Sequence, residues 1–227
     1  MKANALILFA AGLMTACGPK LHDFVMDIEH INVRAEREPL PPLVELGSVE
    51  VDRNEDGKVT GVEHAAAATN QGVDVFETAF AQRLDSQVRQ QALITDVAQT
   101  IRQTIEKKGG PFPLNPKSGW RMITTISHWG VTTGFSGAAD SYITIRTDLW
   151  SPEGEHAWSD YQKCYRDLAP ERGSDRGQIA SNVAALGAIG DGQIKRIFNE
   201  LAIECGRRIS REFQEDVARA KTRAQGQ

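Results

Sequence analysis

The sequence predicts an α+β fold: a mainly antiparallel sheet, made of a three-strand meander plus an N-terminal strand, with helices packed on one face. Three observations carry that expectation. Segments 120–131 and 141–150 are rich in β-branched and aromatic residues, and a third candidate strand at 155–163 follows the second across a turn, with a small-residue loop between the first two. A helical apolar stripe, stepping by three and four residues, runs through 73–107. A second such stripe places Ile194, Ile197, Phe198, Leu201, Cys205 and Ile209 on one side of a C-terminal helix.

The composition suits a globular chain. Of 227 residues, 41% are hydrophobic and 25% charged, which excludes a disordered, fibrous or multi-span membrane protein. A net charge of −4 supplies no basic footprint, so no nucleic-acid partner is expected.

The elements follow in order. Residues 1–16 hold Lys2 and an apolar run at 3–13, too short for a bilayer span of about 20 residues. They read as a signal peptide. Residues 17–42, with Pro19, Pro39, Pro41 and Pro42 among charged side chains, read as a tether. A single domain is expected over 43–214, opening with a strand at 43–51. The helical stretch 73–107 stops at Lys107-Lys108-Gly109-Gly110-Pro111, with a break expected near Gln91–Thr95. Ser151-Pro152-Glu153-Gly154 turns the second meander strand into the third. Residues 166–178 read as a loop and 179–189 as a core helix. Gly190-Asp191-Gly192 leads into the last helix, and 215–227 reads as a frayed polar tail.

Met14-Thr15-Ala16-Cys17 gives the leader its meaning. This run resembles the lipobox of bacterial lipoproteins, with Met14 in place of the more usual leucine. The resemblance implies cleavage before Cys17, acylation (palmitate among the acyl groups) of that cysteine, and a membrane partner held through the lipid. Gly18 is not aspartate, which in Gram-negative cells implies the outer membrane, facing the periplasm. The other reading of the same residues is an ordinary secreted protein. Cys164 and Cys205 then remain as an even pair in an oxidising compartment. A bridge across 41 residues would contribute about 3–4 kcal/mol in the chain-entropy model; two free buried thiols are the alternative.

One constellation suggests a metal. Asp52-Arg53-Asn54-Glu55-Asp56-Gly57-Lys58-Val59-Thr60-Gly61-Val62-Glu63 fits D-x-[DN]-x-[DN]-G-x5-E at every specified position. It resembles an EF-hand calcium loop. The resemblance implies side-chain oxygens from Asp52, Asn54 and Asp56, the Lys58 carbonyl, and a bidentate Glu63. The competing reading is a hairpin, with strand 46–52, a turn at Asn54–Gly57 and a return strand at 58–62.

No catalytic set is expected. His22, His30, His64, His128 and His156 fall at no metal-ligand spacing, and Gly134-Phe135-Ser136-Gly137 is one residue short of a nucleophile elbow. Trp120, Trp129, Trp150 and Trp158 lie on or beside the meander, as core residues or as a binding surface. The order of elements is loosely similar to small α/β lipoproteins that accompany envelope transport and assembly machines. The functional expectation is a membrane-anchored, non-catalytic assembly, tethering or transport-accessory module with an envelope protein as partner. The alternative is a periplasmic calcium-binding lipoprotein using residues 52–63.

Overall fold

The chain alternates short N-terminal elements, long helices and a long-stranded sheet. In order these are α1 (Leu21–Phe24), β1 (Asn32–Ala35), β2 (Leu43–Glu45), α2 (Gly61–Gln87), α3 (Gln90–Lys107), β3 (Arg121–Thr133), β4 (Ala139–Trp150), β5 (His156–Asp167), α4 (Asp175–Ala188) and α5 (Asp191–Gln225). The structure is a computed structural model and describes residues 21–37, 40–47, 61–107, 110–133, 139–168 and 175–226, with the backbone alone for 61–68 and 175–178.

The expected mix of helices with a mostly antiparallel sheet holds. β3, β4 and β5 form the meander, and their register joins apolar residues across the sheet. Met122 pairs with Leu149, Ile126 with Ile145 and Trp129 with Ile143, while Leu149 pairs onward with Trp158. Period-two alternation puts these side chains on one face, where they are buried. A register shift between Ile126 and His128 keeps the face apolar beyond Ser127.

The N-terminal part of the sheet differs from the expectation. Two short strands, β1 and β2, both pair parallel with β3, towards its start and its end respectively. Parallel pairing needs a long crossover, and the stretch containing α2 and α3 provides it. The expected strand at 43–51 is shortened to Leu43–Glu45, with Leu46 buried and Gly47 at φ +84°.

The segment expected to be a tether is instead mostly folded. Leu21, Val25, Ile28, Ile31 and Val33 are buried, and Phe24 meets Trp120 edge-on at 5.8 Å. The Arg102 guanidinium donates to the Val33 carbonyl, and the Trp129 indole donates to the Leu40 carbonyl at 3.0 Å. The frayed tail is also corrected. α5 runs to Gln225, and Val217 and Ala220 continue the stripe of Ile209 and Phe213 into the core. The helix break falls at Val88-Arg89 rather than near Gln91–Thr95, and the loop at 166–178 gives way to β5 at its start and α4 from Asp175.

Two glycines mark close approaches. At Gly130, with φ +148°, a Cβ would lie 1.8 Å from the Leu43 carbonyl oxygen, so β2 docks only because the residue lacks a side chain. At Gly206, in mid-helix, a Cβ would lie 2.8 Å from the Thr100 Cβ and 2.9 Å from the Val97 carbonyl oxygen. Glycine costs a helix interior about 1 kcal/mol. Here it lets α5 press directly against α3.

Candidate interaction face

The residues of the meander that alternate with the buried set form its other face. Tyr142, Thr144, Arg146, Asp148 and Trp150 come from β4, and Tyr161, Lys163, Tyr165 and Asp167 from β5. Tyr161 is 60% exposed and Tyr165 43%, which identifies this face as the one turned to solvent.

Its centre is aromatic and cationic. The Lys163 ammonium lies 5.0 Å from the Tyr165 ring centroid and 5.5 Å from that of Tyr142. The two rings are 6.3 Å apart. Burial pushes the Tyr142 phenol up to about 12, with the nearby Glu45 and Tyr165 adding to the shift. Tyr142 therefore stays neutral and able to donate. Such amphipathic rings offer contact area at low entropic cost.

A polar corner adjoins this centre. Asp148 is buried, but both carboxylate oxygens are engaged. Oδ1 lies 2.9 Å from His156 Nε2, and Oδ2 accepts from Arg146 Nε at 2.8 Å. The imidazole in turn lies against Trp150, with ring centroids 4.7 Å apart and the planes tilted by 33°. An oriented Asp–His pair is one half of the arrangement that activates a nucleophile. Among the described residues, no serine or cysteine side chain hydrogen-bonds to His156.

The far end of the face is acidic. Register places Glu45, Thr132, Asp140 and Asp167 in one row across four strands. Asp140 Oδ1 is buried with no hydrogen-bond partner. Burial, then a hydrogen bond and charge repulsion from Asp167, raise its carboxyl to about 6. On the opposite face of β5, turned towards α5, the Asp160 carboxyl is also raised, chiefly by burial.

Beneath the face, Cys164 of β5 and Cys205 of α5 form a disulfide with Cα atoms 6.0 Å apart. Both cysteines are fully buried. The expected bridge is thus present, and it ties the last helix to the edge strand of the sheet.

The other expected site residues fall differently. Cys17, Asp52, Asn54, Asp56 and Lys58 lie outside the described residues, and Glu63 enters only as backbone in the first turn of α2. Gly61 and Val62 are helical, so the return strand of the alternative hairpin does not extend through them. Among the described residues, no group of three or more His, Cys, Asp or Glu side chains is placed to hold a metal. Trp120, Trp129 and Trp158 are core residues, and Trp150 alone of the four tryptophans reaches the outer face. Sequence reasoning missed the Tyr142–Lys163–Tyr165 cluster. The signal was the period-two run Tyr161, Lys163, Tyr165, which the expected strand end at 163 cuts short before Tyr165.

No family model matches the chain, and no curated protein matches it. Among solved structures, the chain is similar to protein XCC0632 from Xanthomonas campestris, described with the family DUF330, at 12% identity and a TM-score of 0.29. That match covers 52% of this chain and 65% of the other.

The raised Asp140 carboxyl makes stability depend on pH with a definite sign. Its folded value, about 6, exceeds the unfolded value near 4, so the folded state binds the proton more tightly. The resulting stabilisation is full below about pH 4 and lost as pH rises through about 6. Urea midpoints should therefore increase from pH 7 to pH 5. Asp140→Asn should stabilise the protein at pH 7 and flatten this rise; an Asn variant with the wild-type pH slope would contradict the assignment.

Proposed function

We propose that this chain is a membrane-anchored envelope lipoprotein. Its domain serves as a non-catalytic assembly, tethering or transport-accessory module, facing the periplasm from the outer membrane. The observation that carries this reading is the Cys164–Cys205 disulfide, buried between β5 and α5. A bridge of this kind persists in oxidising compartments, where the lipobox at Met14–Cys17 would deliver the chain. The folded N-terminal segment adds a geometric point. Only residues 18–20 separate Cys17 from α1, a stretch that can span at most about 14 Å between anchor and domain. The module would sit close against the membrane. The solvent-facing Tyr161, Lys163 and Tyr165 would then supply its partner surface, with helices covering the opposite face of the sheet.

Fractionation of native envelopes tests the anchor. Wild-type protein should co-fractionate with the outer membrane, and Cys17→Ser should be released to the soluble fraction with an unchanged disulfide. Identical fractionation of the two would overturn the reading.

Calcium binding at residues 52–63 is a second reading, favoured by one observation. α2 opens at Gly61, so the chain enters a helix at the tenth of the twelve loop positions, and Glu63 falls in its first turn. A helix that begins within the last three of the twelve positions is the arrangement an EF-hand-type site uses on its C-terminal side. Without a second loop, affinity should be on the order of 10⁻⁴–10⁻³ M, the extracellular range. Calorimetry with millimolar calcium should give a binding heat that Asp52→Asn and Glu63→Gln abolish. Absence of heat from the wild type would remove this reading.

A further inference from the structure

We propose that the groove between α3 and α5 binds a phosphate-bearing ligand, a site independent of the anchor and calcium readings. The groove has a volume of about 800 Å³. Lys107 from the last turn of α3 and Arg207, Arg208 and Arg211 from α5 line it, with the amide of Gln214 beside them. Glu204 is the one carboxylate in the lining, and it takes the Arg208 guanidinium. Lys107, Arg207 and Arg211 form no ion pair among the described residues. The concentration is uneven for this chain, which has 30 acidic residues against 26 Lys and Arg.

A second observation points the same way. The side-chain Nε2 of Gln214 is buried without an acceptor in the protein. Buried donors are almost always satisfied, so Gln214 holds an unmet hydrogen-bond donor in the wall of this groove. Unpaired like charges one helical turn apart are mildly destabilising. The fold therefore carries a small cost here that an anion would reverse.

Geometry supports phosphate over other anions. Arg207 and Arg211 stand one turn apart on α5, about 6 Å along its axis, so both guanidinium forks reach one phosphate or two adjacent ones. Each fork suits bidentate contact with phosphate oxygens. A phosphate group offers nearly two charges and three acceptor oxygens, enough for two arginines, a lysine and the Gln214 amide. A long polyanion fits poorly, because the rest of the chain is net acidic and would repel it. The walls are rigid: Gly206 seats α5 against α3, and the disulfide at Cys205 fixes α5 beside it. Arg207 and Arg211 lie on the side of α5 opposite Asp216 and Ala220, which adjoin Leu21 of α1. The groove is therefore separate from the N-terminal attachment.

Calorimetry on the full chain at low ionic strength tests the proposal, with inorganic pyrophosphate and, separately, short-chain phosphatidylglycerol below its micellar concentration. Saturable binding to one site is expected, with a ligand-dependent rise in melting temperature. Tighter binding of phosphatidylglycerol assigns the site to a lipid headgroup, and tighter binding of pyrophosphate assigns it to a soluble phosphate ester. The double variant Arg207→Gln/Arg211→Gln should weaken either by about tenfold or more. Lys195→Gln/Arg223→Gln, which removes two cations elsewhere on α5, should leave binding unchanged. These positions are exposed, so without ligand both variants should stay folded, the control at the wild-type melting temperature and Arg207→Gln/Arg211→Gln at or slightly above it. No heat from either probe at millimolar concentration, or equal weakening by the two double variants, would overturn the proposal.

Discussion

The packing of α5 along the buried face of the meander is the contact on which the rest of the domain depends. Its apolar stripe, from Ile194 through Phe198, Leu201, Ile209 and Phe213 to Val217, is buried along the helix. Aromatic contacts mark both ends of that seam. Trp129 meets Phe198 edge-on at 5.7 Å, and Trp158 meets Phe213 at 5.0 Å. Cys205 pins the middle to β5, removing freedom from the unfolded chain across a 41-residue loop, about 4 kcal/mol in the entropic model. Arg83 joins the start of α5 to α2, bonding Asp191 at 2.6 Å and the Ile189 carbonyl at 2.5 Å.

That one seam positions both the outer face of the sheet and the cationic groove. With core residues of β4 and β5 committed to α5, their alternate residues are left to face solvent, which is where Tyr161, Lys163 and Tyr165 stand. With Gly206 pressed on Thr100, the neighbouring turns of α5 bring Arg207 and Arg211 over α3. The acidic row at Glu45, Asp140 and Asp167 and the cationic groove are thus products of a single register. Their opposite signs separate two surfaces of a chain whose net charge is small.

Much of this architecture was legible in the sequence, for identifiable reasons. The meander could be read because β-branched runs alternate and Ser151–Gly154 is an explicit turn. The bridge followed from cysteine parity once Cys17 was set aside as the expected lipidation site. The N-terminal elements were hidden because Pro39, Pro41 and Pro42 dominate the local composition, while Leu21, Val25, Ile28 and Ile31 find their partners only in tertiary contact. The helical end was hidden because valine and alanine at 217 and 220 continue a stripe too weakly to stand out. Strand direction in β1 and β2 has no local signature at all. The groove was invisible for a simpler reason: Lys107 and Arg207 are a hundred positions apart, and only the α3–α5 crossing brings them together.

The proposed anchor at Cys17 and the oxidised pair Cys164–Cys205 are tested together by an intact mass of the protein extracted from native membranes. The expected value is the mass of residues 17–227 plus acyl groups on Cys17, less two hydrogens for the Cys164–Cys205 bond. A mass equal to the unacylated chain with two free thiols would contradict it.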